Sequence, residues 1–237
     1  MEWSLVVPLK PLATAKSRLA EAVGPGRRGL ALAFAQDTVA AALACPVVRH
    51  VTVVTDDPLA GASLTALGAR VLADSPAAGL NAALRHGAEA VRRQDPAAAV
   101  AALNADLPAL RPAELAAVLS AAARHPGRSF LADAAGIGTT LLAATGGADL
   151  APAFGGRSRA RHRASGAHEI VLADVDSVRR DVDTGEDLAA ALLLGAGPHT
   201  RALLRSGLRT VPRDGDTGTG PTGRPAAGSP ARGCGGR

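Results

Sequence analysis

The 237-residue chain is 47% hydrophobic but only 2% aromatic, which allows one substantial core built from Ala, Leu and Val packed between helices and strands. No apolar run approaches the roughly 20 residues that cross a bilayer, and the chain enters a strand-like run at Trp3 without a charged leader or cleavage pattern, so a cytoplasmic, membrane-free protein is expected. The net charge of +5 would suit a nucleic-acid binder, yet seven Arg set against Asp214 and Asp216 within 198–237 account for all of it. Residues 1–197 are formally neutral, and no nucleic-acid partner is expected for them.

In chain order, residues 3–7, 47–55, 70–73 and 98–103 are short β-branched or apolar runs that read as strands. Between and after them, the Ala/Leu-rich stretches 28–44, 58–67, 79–93 and 112–124 read as helices. This alternation predicts an α/β fold of successive β-α-β units, with a mainly parallel mixed sheet covered by helices. After Ser129 the pattern loosens into the runs 130–132, 140–144, 169–172 and 178–182, before a helix over 184–194. From Arg213 onward Gly, Pro, Thr and Arg dominate, a composition that buries too little surface to fold. One domain over 1–210 and a disordered basic tail over 211–237 are therefore expected, with a weak electrostatic arm as the tail's alternative role. Cys45 and Cys234 are the only cysteines, so neither a disulfide framework nor a zinc site is supported.

Ligands of an open α/β sheet gather beyond the carboxyl ends of its strands. After the first strand, VVPLKPLATAKSRL at 6–19 holds Lys10 and Lys16, the only lysines among 26 basic residues. In so Arg-rich a chain two lysines in one loop point to a compact ammonium that can follow a phosphate, where a planar guanidinium would fix a fork. Ser17 and Arg18 open the next helix, whose N-terminus would meet a triphosphate. The plain alternative is that both lysines solvate a loop. Neither GxGxxG nor GxxxxGKS is present, so a dinucleotide Rossmann site and a P-loop are unsupported.

NADLPAL at 104–110 puts Asp106 directly after the fourth strand, and RRDVDTGEDL at 179–188 alternates Asp181 and Asp183 before a helix. Oxygen ligands from two strand ends suit Mg²⁺, which retains waters and bridges phosphate oxygens. Asp106 could instead end a turn before Pro108, and Asp183 or Thr184 could cap the helix. Downstream, GIGTTLL at 136–142 and FGGRSRARHRASGA at 154–167 combine glycines, hydroxyls and arginines able to converge on a small polyanion. The alternative is a solvated helix with Arg157, Arg159, Arg161 and Arg163 pointing outward. His162 reads as structural.

Together with GLNAALRHG at 79–87 and ADAAGIGTTLL at 132–142, these motifs in this order resemble the phosphoenolpyruvate/2-phospholactate guanylyltransferases of coenzyme F420 biosynthesis, over about residues 3–194. The resemblance implies a GT-A-like nucleotidyltransferase fold in which GTP and Mg²⁺ meet a phosphorylated three-carbon acid and diphosphate is released. It implies metal-holding roles for Asp106, Asp181 and Asp183, catalytic roles for Lys16 and Asp106, nucleotide-side positions for Lys10, Lys16 and Asn81, and acceptor positions at Thr140, Gly155 and Ser158. The chain departs from the pattern at Ile137 and at Gly156 with Arg157. Similarity to the actinobacterial branch implies phosphoenolpyruvate as acceptor, with 2-phospholactate as the alternative; homodimerisation is left open. Rival readings are another small-molecule nucleotidyltransferase and a non-catalytic nucleotide- or nucleic-acid-binding module, against which two separated carboxylate sites argue.

Overall fold

A computed structural model describes residues 1–16, 19, 23–75 and 77–207. The expected tail over 211–237, Ser17 and Arg18 lie outside the described residues. The strands are β1 (Trp3–Pro8), β2 (Val48–Val54), β3 (Arg70–Leu72), β4 (Ala99–Leu103), β5 (Arg128–Ala132), β6 (Thr139–Ala144) and β7 (His168–Glu169). The helices are α1 (Arg27–Leu43), α2 (Pro58–Ala66), α3 (Leu80–Gln94), α4 (Pro112–Ala123), α5 (Ser158–Ala164), α6 (Asp176–Arg179), α7 (Gly185–Leu194) and α8 (Pro198–Arg205).

The strands form one sheet in the order β3-β2-β1-β4-β6-β5-β7. β1 runs parallel to β2 and β4, β2 to β3, and β5 to β7, while β6 is antiparallel to both β4 and β5. The expected mainly parallel, helix-covered sheet is thus present. Its two faces follow from period-2 alternation. Leu5 and Val7 join Ala35 and Val39 of α1 and Leu115 and Val118 of α4 on one side. Val6 instead meets Ala83, Leu84 and Ala88 of α3 on the other. Only small residues permit this approach: a Cβ on Gly87 would lie 2.4 Å from a Val6 methyl.

Two late expectations are corrected. Residues 178–182 do not continue as an apolar run in the sheet: α6 ends at Arg179 and an irregular segment follows, because Val178 is buried from a helical turn. Of the run 169–172 only Glu169 is in a strand, the two-residue β7. Sequence reading also missed α8, whose N-terminal N–H groups at His199 and Thr200 donate to the buried carboxylate of Asp37 at 2.9 and 2.8 Å. A carboxylate satisfying helix-start donors stabilises such a helix, and its partner lies more than 160 positions upstream.

Candidate active site

The carboxyl ends of β1 and β4 open into a cavity of about 640 Å³, lined by the loop after β1, the Asp106 segment, the turn after β5, residues 154–158 and the Asp181 segment. The first wall is held by side chains that reach its backbone. Asp57, the N-cap of α2, accepts from the N–H groups of Leu12 at 2.8 Å and Ala60 at 3.0 Å. Arg27 donates to the carbonyls of Ala13, at 2.8 Å, and Ala15. The loop delivers Lys16 in a left-handed conformation, φ 55°. A non-glycine residue there is unfavourable unless its surroundings hold it.

Those surroundings are carboxylates. The Lys16 ammonium, whose side chain is 11% exposed, pairs with Asp106 and, at 2.7 Å, with Asp183. Burial alone would lower its pKa, but the attraction of Asp106 and Asp183 outweighs burial and holds it above the ordinary lysine value. The Asp181 segment is pinned alongside, because the Val182 N–H donates to the Asp106 carbonyl at 3.1 Å. Asp181 is pushed up to about 7, first by burial and then by the carboxylates of Asp106, Asp183 and Asp133, with Lys16 opposing. Among the described residues no group of three or more carboxylate, imidazole or thiolate side chains is drawn together tightly enough to hold a metal ion; the ammonium sits between two of the acids. Among the described residues Asp106 Oδ1 is buried without a hydrogen-bond partner.

The open question at the start of α7 is resolved by a capping box. Thr184 accepts from the Asp187 N–H at 3.2 Å and Asp187 accepts from the Thr184 N–H at 3.0 Å. Thr184 thus does the capping, and the Asp183 carboxylate remains available to Lys16.

Of the sequence-predicted residues, Lys10, Lys16, Asp106, Asp181, Asp183, Gly155 and Ser158 all line this one cavity. Lys10 is exposed there. Thr140 and Asn81 do not line it. Thr140 is fully buried and its hydroxyl has no partner among the described residues, whereas Thr139 does line the cavity. The Asn81 carboxamide accepts from the Phe154 N–H at 2.8 Å and donates to the Phe154 carbonyl at 3.1 Å. Of the arginines expected to point outward, Arg159 and Arg163 pair with Glu169, and Arg161 donates to the carbonyls of Ala153 and Gly155. Sequence reading missed Asp133, which lines the cavity and accepts from the N–H groups of Ile137 at 2.9 Å and Gly138 at 2.7 Å. An Asp three residues before a Gly-x-Gly turn was the available signal.

With that geometry in place, comparison with known proteins is informative. Residues 3–218 match the family described as guanylyl transferase CofC like. A phosphoenolpyruvate guanylyltransferase of Streptomyces avermitilis is 69% identical over 203 residues, spanning 85% of this chain and 94% of its own length. Its counterpart in Streptomyces coelicolor is 68% identical over 204 residues, spanning 86% and 96%. Among solved structures, a nucleotidyl transferase from Methanothermobacter superposes with a TM-score of 0.56 at 21% identity, over 86% of this chain and 99% of that one, a likeness that concerns the fold. A nucleotidyltransferase sheet, a cavity at its strand ends and a family match over nearly the whole chain lead to one statement: the chain belongs to the guanylyl transferase CofC-like family.

Proposed function

We propose that the protein transfers GMP from GTP to phosphoenolpyruvate, giving enolpyruvyl-2-diphospho-5'-guanosine and diphosphate, as a cytoplasmic step in coenzyme F420 biosynthesis. The observation that carries this reading is Lys16, held between Asp106 and Asp183 in the same cavity as the Gly155 and Ser158 turn. An acceptor phosphate oxygen attacks the α-phosphorus of GTP, the bond from that phosphorus to the bridging oxygen breaks, and diphosphate leaves. The acceptor is already an anion, so alignment and charge stabilisation matter more than a strong base. Lys16 supplies an ammonium to the phosphates, and Lys10 adds a second cation at the solvent side. Gly155 and Gly156 have positive φ values of 97° and 45°. Among the described residues no acceptor meets the N–H of either, which leaves backbone donors for the acceptor's phosphate or carboxylate.

Among the described residues the acids are not drawn together as a ready-made metal site, but their chemistry fits a divalent cation that keeps several of its waters. Among the described residues Asp106 presents a buried, unpartnered oxygen, and Asp181 is driven toward its protonated form by burial and then by neighbouring carboxylates; a cation would satisfy the oxygen and offset the repulsion between the acids. An all-oxygen donor set of Asp106, Asp181 and Asp183 suits Mg²⁺, which when bound would neutralise triphosphate charge. The 68–69% identical relatives are named for phosphoenolpyruvate, which favours that acid over 2-phospholactate. Diphosphate release measured with GTP, Mg²⁺ and each acid in turn tests the reading. Release that depends on phosphoenolpyruvate, with a higher kcat/KM than for 2-phospholactate, is expected; no release with either acid would overturn it.

A further inference from the structure

The turn that begins at Gly155 belongs to neither sheet nor helix, so something else must fix it. The backbone of 153–155 is held almost entirely by side chains from other elements. Asn81, at the first turn of α3, pairs with both polar groups of Phe154, at 2.8 and 3.1 Å. This two-point pairing also sets which end of the amide is the donor. His162 of α5, with 0% exposure, accepts from the Ala153 N–H through Nε2 at 3.0 Å. Its proton therefore sits on Nδ1, which donates to the Thr139 hydroxyl at 3.0 Å. One imidazole thus ties the segment before Gly155 to the start of β6. Its ring packs against Phe130 and Phe154, with centroids 5.7 and 5.2 Å away.

We propose that Asn81 and His162 are positioning residues for the acceptor: from outside the cavity they fix residues 153–155, and through them the shape of the Gly155 and Ser158 turn that receives the phosphorylated acid. This rests on the guanylyl-transfer reading above and adds two residues that touch no substrate. It also separates two roles for Asn81, since a nucleotide-binding residue would act on GTP and a clasp on this turn acts on the acceptor. The glycines at 155 and 156 make the clasp necessary, because a segment with φ of 97° and 45° has many alternatives open to it.

The test uses two substitutions in the full chain. Asn81→Asp keeps the acceptor for the Phe154 N–H but sets a carboxylate against the Phe154 carbonyl. His162→Phe keeps a ring between Phe130 and Phe154 while removing both hydrogen bonds. Diphosphate release gives the KM for phosphoenolpyruvate at saturating GTP and the KM for GTP at saturating acid, with thermal unfolding recorded alongside. The acceptor KM should rise about tenfold or more while the GTP KM stays within about twofold. A selective rise in the GTP KM, an equal rise in both, or a lower melting temperature with unchanged kinetic constants would overturn the proposal. If His162→Phe does not fold, Asn81→Asp decides alone. Wild-type protein that turns over neither acid would bring down the guanylyl-transfer reading and the clasp with it, whereas wild-type turnover with unaltered variants brings down the clasp only.

Discussion

His162 gives the fold a pH dependence that can be worked from its surroundings. Burial, and then the charges of Arg161 and Arg128, depress its pKa from 6.5 to about 4. Protonating Nε2 would also aim a donor at the Ala153 N–H that now donates to it. A histidine whose folded pKa is depressed favours the neutral form in the native state. Its contribution is complete above about pH 6.5 and is lost as pH falls from there to about 4. At about 1.4 kcal/mol per pKa unit the loss is about 2 kcal/mol at pH 5 and approaches about 3 kcal/mol below pH 4. Urea unfolding of the wild type and His162→Phe at pH 7.5 and pH 5 isolates this group, because the other titrations largely cancel in the difference. At pH 7.5 the variant should be weaker, with the Ala153 N–H and Thr139 hydroxyl unpaired. At pH 5 the gap should close by about 2 kcal/mol. A gap that stays the same at both pH values would refute the argument.

The remaining predictions concern the cavity. Asp106→Asn, almost unchanged in size, should fold normally and lose Mg²⁺-dependent turnover by about a hundredfold or more; near-wild-type turnover would remove Asp106 from the metal-holding set. Lys16→Ala should lower kcat/KM with GTP by about ten- to a hundredfold, the worth of a hydrogen bond between charged groups, and an unchanged value would return Lys16 to a structural ion pair. Asp181, raised to about 7, destabilises the metal-free fold increasingly as pH rises from about 4 through 7. In chelator, Asp181→Asn should therefore melt higher than wild type at pH 8, with no advantage at pH 4, and calorimetry at the two pH values checks this. Gly138→Ala would bring a Cβ within 2.3 Å of Asp133 Oδ2, so a loss of about 1–3 kcal/mol in thermal unfolding is expected.

How much of this was legible in the sequence depends on whether a feature is local. The first four strands and the helices α1 to α4 were readable because apolar period and turn residues act within about 15 positions. Asp106 was readable for the same reason: an acid directly after the buried run of β4 lies at the sheet's carboxyl edge. The pairing of Lys16 with Asp183 was not, since the two are 167 positions apart. Two neighbouring residues, Asp183 and Thr184, looked equally able to cap α7, although the spacing from Thr184 to Asp187 carried a capping-box signal in plain view. The resemblance pointed to Thr140, whereas Thr139 lines the cavity, and the β5–β6 register shifts between Leu131 and Ala132. Such an irregularity moves side chains between faces without leaving a mark in composition.

Asn81 shows a different limit. Its motif was legible, but the groups it binds are the N–H and carbonyl of Phe154, and backbone partners have no residue type to recognise. The same holds for Ala153, which His162 holds through its N–H, and for the carbonyls held by Arg161. A side chain that serves another segment's backbone looks, in sequence, like one that serves a ligand, because both need a polar group at a fixed place. The distinction comes from satisfaction: Asn81 has one donor and one acceptor of its amide engaged by Phe154, while among the described residues Asp106 keeps a buried oxygen without a partner. Buried polar atoms in a folded protein are nearly all paired, and this difference between the Asp106 oxygen and the Asn81 amide is the ground for the opposite roles proposed for them, Asp106 toward metal and substrate and Asn81 toward the scaffold.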